Sequence, residues 1–166
     1  MSERRPKNNF AYIDGANLQK AAEAFDWQLD YARLRVWLKE KYDVSNAYMF
    51  LGHIPEFKYR YAYLKEIGYK LIFKKITHNS VGGIKGNCDA DLILQAVCDT
   101  YEEKFEKTVI MTSDGDFVGL ARFLKNRNKL ASLISPGSAR GCSTLLKGAH
   151  IPIIYIPDQK DDLEMK

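Results

Sequence analysis

The sequence predicts an α/β fold: a three-layer arrangement in which a mainly parallel sheet carries helices on both faces. Three observations point to it. Apolar runs of strand length alternate with segments of helical period from one end of the chain to the other. Strands separated by helices pair in parallel through right-handed crossovers. Finally, 166 residues suit one compact domain with a real core, and no repeat, low-complexity block or linker divides them.

Taken in order, residues 1–8 are polar and basic and read as an N-terminal arm. Asn9 to Ile13 is a first strand that stops at Asp14-Gly15-Ala16-Asn17, and Leu18 to Phe25 a short helix. Asp30 caps a helix over Tyr31 to Tyr42, where Leu34, Trp37, Leu38 and Tyr42 recur at helical spacing. Ala47 to Leu51 is a second strand ending at Gly52-His53-Ile54-Pro55. Glu56 to Ile67 is a helix that Gly68 stops, and Tyr69 to Phe73 a third strand. Lys74 to Cys88 holds three glycines and no periodicity, and reads as a loop. Asp89 caps a helix reaching about Tyr101, with Leu92, Ile93, Ala96 and Val97 on its buried face. Thr108 to Thr112 is the fourth strand, Phe117 to Asn126 a helix, Leu130 to Ile134 the fifth strand and Ser138 to Leu146 a short helix. Ile151 to Ile156 is a last, edge-like strand, because Pro152 removes a ladder donor. The domain thus covers 9–157, and 158–166 reads as an acidic C-terminal tail.

Composition narrows the function classes. The formal charge is +4, and the acidic tail leaves the body more basic than that, which favours a polyanionic partner. No apolar run approaches the roughly 20 residues of a membrane span, and the charged start leads into no signal-type segment. Cys88, Cys98 and Cys142 are odd in number, widely spaced and without a CxxC pair. That argues against a disulfide framework or zinc site and suits reduced, mostly buried thiols in the cytoplasm.

The chemistry concentrates in the acids. Val109-Ile110-Met111 is an apolar strand that meets Thr112-Ser113 and then Asp114-Gly115-Asp116. In an open α/β sheet, ligands bind in the crevice beyond the carboxyl ends of the strands. Asp14 ends the first strand, and Asp89 and Asp91 open the helix that precedes the fourth. If the first and fourth strands are neighbours, all five carboxylates reach one crevice. Crowded carboxylates repel one another, and a hard divalent cation, Mg²⁺ or Mn²⁺, relieves this. Such an ion polarises a phosphate and presents a hydroxide. Taken singly, each acid would serve as a turn former or helix cap. Asp99 falls about ten residues from Asp89, roughly 15 Å along its helix, and is set apart. Asn17 would either bind a carboxylate or phosphate or cap its helix. Ser113 or Thr112 would orient a water or serve the backbone. Lys85 would meet the scissile phosphate or remain a solvated lysine.

Ile13-Asp14-Gly15-Ala16-Asn17, Lys85-Gly86-Asn87-Cys88-Asp89-Ala90-Asp91-Leu92 and Ser113-Asp114-Gly115-Asp116-Phe117 together resemble the motif series of the NYN domains, PIN-like nucleases. The resemblance runs from about Asn9 to Ile156. It implies a sheet in the order 3-2-1-4-5, here with a short extra edge strand, and metal-dependent cleavage of RNA. By position it implies Asp14, Asp89, Asp114 and Asp116 as the acidic metal-site residues, with Asn17 and Ser113 as companions. The middle motif departs from the usual form, because Asn87 is extra and Asp91 adds a second acid. Asp89 is the favoured ligand of the two.

Around this centre, Phe57-Lys58-Tyr59-Arg60-Tyr61-Ala62-Tyr63-Leu64-Lys65 interleaves aromatics with cations. Tyr59 and Arg60 in that helix suit stacking on unpaired bases and contact with phosphate. The same helix would equally pack on the sheet or form a homodimer face. His53 and His78 fall on loops at the active-site edge. Arg140, in Ser135-Pro136-Gly137-Ser138-Ala139-Arg140, enters a helix in a geometry that presents N–H groups to an anion. The expectation is a metal-dependent endoribonuclease acting on single-stranded RNA. The competing reading is a non-catalytic RNA-binding or assembly module that keeps an ion in the same fold. An aspartyl phosphatase ranks last, because the second aspartate it needs falls at Ala16.

Overall fold

The first strand, β1 (Asn9–Asp14), lies at the centre, with Asn9 through Ile13 buried. Its alternation serves two layers at once, as the two-residue period of a strand requires. Ala11 and Ile13 join one apolar cluster, and Phe10 and Tyr12 join the other. The computed structural model describes residues 7–75, 77–78, 84–85 and 88–166.

After β1 come α1 (Gly15–Glu23), α2 (Tyr31–Tyr42), β2 (Val44–His53), α3 (Lys58–Glu66) and β3 (Tyr69–Lys75). A small antiparallel pair follows, β4 (Thr77–His78) with β5 (Ile84–Lys85). The second half holds α4 (Asp89–Tyr101), β6 (Thr108–Met111), α5 (Val118–Asn126), β7 (Leu130–Ser135), α6 (Thr144–Lys147), β8 (Ile153–Tyr155) and α7 (Lys160–Leu163). The main sheet runs β3-β2-β1-β6-β7-β8, and every neighbouring pair in it is parallel. Counting only its own strands, this is the expected 3-2-1-4-5 order with a sixth strand at the edge.

Helices α2 and α3 cover one face through Leu34, Trp37, Leu38, Tyr61 and Leu64, together with Leu18 of α1. Helices α4, α5 and α6 cover the other through Leu92, Ala96, Leu120, Leu124 and Leu146. Burying an aliphatic side chain of this size stabilises a fold by about 1.5–3 kcal/mol, so the two clusters dominate its stability. The chain leaves β1 onto one face and enters β6 from the other. The carboxyl ends of β1 and β6 therefore flank the switch point where such sheets open a crevice.

Several elements differ from the sequence reading, each for a local reason. Helix α1 begins at Gly15 rather than Leu18, because Asp14 is its N-cap and accepts from Asn17 N–H at 3.2 Å. A side chain at Gly15 would strike Leu51 and the Phe50 carbonyl, so only glycine lets α1 start against β2. Strand β2 runs beyond both ends of the Ala47–Leu51 prediction, taking in polar Ser45 and Asn46. Part of the predicted 74–88 loop forms the β4–β5 pair, and residues 76, 79–83 and 86–87 lie outside the described set. Asp89 does not cap its helix: Cys88 stands at the N-cap position, and Asp89 is the first helical residue. The predicted Ser138–Leu146 helix breaks into a 3₁₀ turn, Ala139–Gly141, and α6, which Ser143 caps. Strand β8 is shorter than predicted, starting after Pro152.

The segment 158–166, read as a tail, packs on the domain. Leu163 is buried, and its carbonyl accepts from Asp30 N–H at 2.9 Å. Met165 N–H donates to Gln28 O at 2.8 Å. Cys88, Cys98 and Cys142 are thiols outside any disulfide. Among the described residues no helix is long and apolar enough to cross a membrane.

Candidate metal centre

Three carboxylates converge at the crevice. One oxygen from each of Asp89, Asp114 and Asp116 lies within 4.8 Å of the others. Asp89 arrives at the first turn of α4. Asp114 and Asp116 come from the turn after β6, where Asp114 caps the 3₁₀ turn Gly115–Phe117 by accepting from Asp116 N–H at 2.9 Å. The glycine between them is a packing requirement, since a Cβ at Gly115 would overlap the Ser143 hydroxyl and press on Leu145.

Asp14, expected as a fourth member, lies outside this group of three and beside it, tied in across the β1–β6 pairing. Thr112 Oγ1 donates to Asp14 Oδ2 at 3.2 Å and accepts from Asp114 N–H at 3.1 Å. Asn17 Oδ1 accepts from both the N–H and the hydroxyl of Ser113, at 2.9 Å each. Ser113 O in turn accepts from Ser143 N–H at 3.0 Å. These bonds cross-brace the two strand ends, so the acids stand on fixed backbone. Burial pushes the Asp14 carboxyl up to about 6, and the charges of Asp89 and Asp114 push the same way. The hydrogen bonds from Asn17 and Thr112 oppose the rise and are outweighed.

The donor set fits a hard divalent cation. Every donor is a carboxylate oxygen, which suits Mg²⁺ or Mn²⁺ over softer metals. The spread of the oxygens is close to the span of opposed ligands on an ion bound at about 2.1 Å. Asp89 Oδ2 is buried, and the repulsion raising Asp14 is of the kind a cation cancels.

The other residues singled out from the sequence fall in several places. Asp91 does not join the cluster: its half-exposed carboxylate pairs with Lys74 Nζ at 3.6 Å. Asn17 holds Ser113 instead of capping α1, and Ser113 is its partner in that brace. His53, exposed at the end of β2, sets its ring edge-on to Phe73 at 5.1 Å and beside Tyr61 at 5.8 Å. Tyr59 is 79% exposed, with Lys58 Nζ 5.0 Å from its ring. Arg60 turns away to Tyr31, bonding its hydroxyl at 3.3 Å. Arg140 sits exposed on the 3₁₀ turn after β7 and does not line the acid cavity. The side chains of Lys85 and His78 lie outside the described set. Asp99, set apart in the sequence, is buried and accepts from Tyr12 Oη at 2.6 Å and from Gln95 Nε2 at 2.9 Å.

Asp14, Asp89 and Asp114 line a cavity of about 470 Å³. Its lining also includes residues the sequence reading did not place at the acids: Lys20 on α1, and Ile54 and Phe57 beyond β2. Lys20 carried a signal, because Asp14, Asn17 and Lys20 follow at three-residue spacing along one helix face. Phe57 heads the aromatic and cationic run of residues 57–65, whereas Ile54 carried no signal, since only the β1–β2 pairing brings its turn beside the acids.

Comparison with known proteins agrees with this architecture. The NYN domain family matches residues 11–149. The crystal structure of a protein of unknown function from Vibrio parahaemolyticus RIMD 2210633 superimposes with a TM-score of 0.77 at 20% identity. That match covers 99% of this chain and 100% of the other, and at this identity it speaks to the fold alone. No curated protein matches the chain. The family match spans most of the sequence, including the carboxyl end of β1, the start of α4 and the turn after β6, and the chain belongs to the NYN domain family of the PIN-like nuclease superfamily.

Proposed function

We propose that this protein is a divalent-metal-dependent endoribonuclease that hydrolyses phosphodiester bonds of single-stranded RNA in the cytoplasm. The observation that carries the proposal is the convergence of Asp89, Asp114 and Asp116 within 4.8 Å, with Asp14 beside them, in a chain of a nuclease-type family.

In this reading Asp89, Asp114 and Asp116 hold Mg²⁺ or Mn²⁺. When bound, the ion supplies Lewis-acid polarisation of the phosphate and a water of lowered pKa. The chain's own contribution is placement. Asn17 N–H and the Thr112 hydroxyl fix the Asp14 carboxylate beside the three acids. The Asn17–Ser113 brace holds the β6 turn to α1, so the carboxylates need little reorganisation as charge develops.

The alternative, a binding module, draws on one observation. Asp14 and Asp114 both cap the turns that follow them, which gives each a structural duty apart from any ion. A covalently closed single-stranded RNA circle separates the readings, because it offers no ends. Conversion of the circle to a linear strand in Mg²⁺ or Mn²⁺, blocked by chelator, is the expected result. A circle that binds the protein and stays closed in both metals would favour the module.

A further inference from the structure

The acid cavity has a second, apolar side. The 3₁₀ turn Pro55–Phe57 follows β2 and contributes Ile54 and Phe57 to the same lining as Asp14, Asp89 and Asp114. Phe57 is a large ring left 38% exposed, where burial would be the ordinary fate of phenylalanine. Its support is fixed. Tyr61, 7% exposed, accepts from Ile54 N–H at 3.1 Å and donates to Gly52 O at 3.3 Å. The Tyr61 ring also meets Phe57 edge-on at 6.4 Å. The turn is therefore held by Tyr61, and both rings belong to the cavity lining. Lys20 on α1 adds a cation to the lining.

We infer that this side of the cavity is a subsite for one unpaired nucleotide of the RNA, with its base on Phe57 and Ile54. The inference rests on the nuclease reading for the identity of the polymer. The charge pattern favours a nucleotide over a purely apolar guest, because cation, carboxylates and aromatic ring share one opening. A volume of about 470 Å³ falls in the range of small-ligand sites, about 300–1,000 Å³, and suits a single nucleotide. Lys20 meets a backbone phosphate, and a divalent cation held by the acid cluster would take the next one. Stacking on a ring face tolerates any base, so the subsite selects for strandedness over sequence. A paired base has both faces and its edge occupied and does not enter.

The test uses a single-stranded oligoribonucleotide carrying 2-aminopurine at successive positions, whose emission falls when it stacks. Ca²⁺ replaces Mg²⁺ so that binding is read without turnover. Wild type quenches one position strongly, Phe57→Ala abolishes that quench and weakens binding about tenfold, and Phe57→Trp retains both. Thermal midpoints of the variants confirm that each is folded. Phe57→Ala that binds and quenches as wild type does, or wild type that quenches no position, overturns the subsite. Cleavage measured in Mg²⁺ on the same proteins keeps the two ideas separate. Quenching without cleavage leaves the subsite standing and removes the nuclease reading, whereas cleavage indifferent to Phe57 does the reverse.

Discussion

Replacing Asp14 with asparagine should stabilise the metal-free protein while impairing its chemistry. Asparagine caps a helix about as well as aspartate, so the bond from Asn17 N–H survives, and the charge repelled by Asp89 and Asp114 is removed. In the wild type the folded-state value of about 6 lies above the ordinary 3.8. The native state therefore holds an extra proton between those values, and ionisation penalises folding as pH rises through about 6. The full penalty at pH 8 is up to about 3 kcal/mol, shrinking to about 0.6 kcal/mol at pH 4. The value of about 6 already includes the opposing bond from Asn17 N–H at the start of α1. Urea denaturation in EDTA should thus show Asp14→Asn more stable than wild type by up to about 3 kcal/mol at pH 8 and nearly equal to it at pH 4. Adding Mg²⁺ should raise wild type more than the variant, since an ion that binds only the native state stabilises it. A variant less stable at pH 8, or a difference independent of pH, would refute the view that Asp14 is a destabilised carboxylate.

Three further outcomes follow from the geometry. Gly115→Ala forces a methyl against Ser143 and should lower stability by about 1–3 kcal/mol, with loss of metal binding in calorimetry because Asp114 and Asp116 flank the displaced turn. Asp89→Asn should abolish Mn²⁺ binding in the same titration, while Asp91→Asn should leave it near wild type, its carboxylate being engaged with Lys74. Tyr12→Phe removes a bond to the buried Asp99 carboxylate and should lower the denaturation free energy by about 1.5–3 kcal/mol, with Mn²⁺ affinity unchanged.

The sheet was legible because its strands are short apolar runs that stop at recognisable turns, whereas the strand order came from the resemblance to the NYN domains, since alternation alone does not say that α1 to α3 share one face and α4 to α6 the other. The acids were legible at the strand ends for the same reason. What the sequence hid was contact across elements. Asp91 and Asp89 lie on one helix two residues apart, and only the helical turn separates them, sending one toward Asp114 and the other toward Lys74. Asn17 looked like a cap or ligand because its partner, Ser113, is remote in sequence and adjacent only through the β1–β6 pairing. Asp99 could have been placed: with Leu92 and Ala96 it completes the buried stripe of α4, and burial obliges it to find partners. The acidic composition of 158–166 masked Leu163, a single apolar anchor that docks α7.

The most direct test of the central claim is cleavage of labelled single-stranded RNA by wild type and by Asp89→Asn/Asp114→Asn, each with Mg²⁺, Mn²⁺ or EDTA. The structure predicts cutting by wild type with either ion, none in EDTA, and none by the variant under any condition. Equal cutting by the variant, or by wild type in EDTA, would contradict a metal centre built from these aspartates.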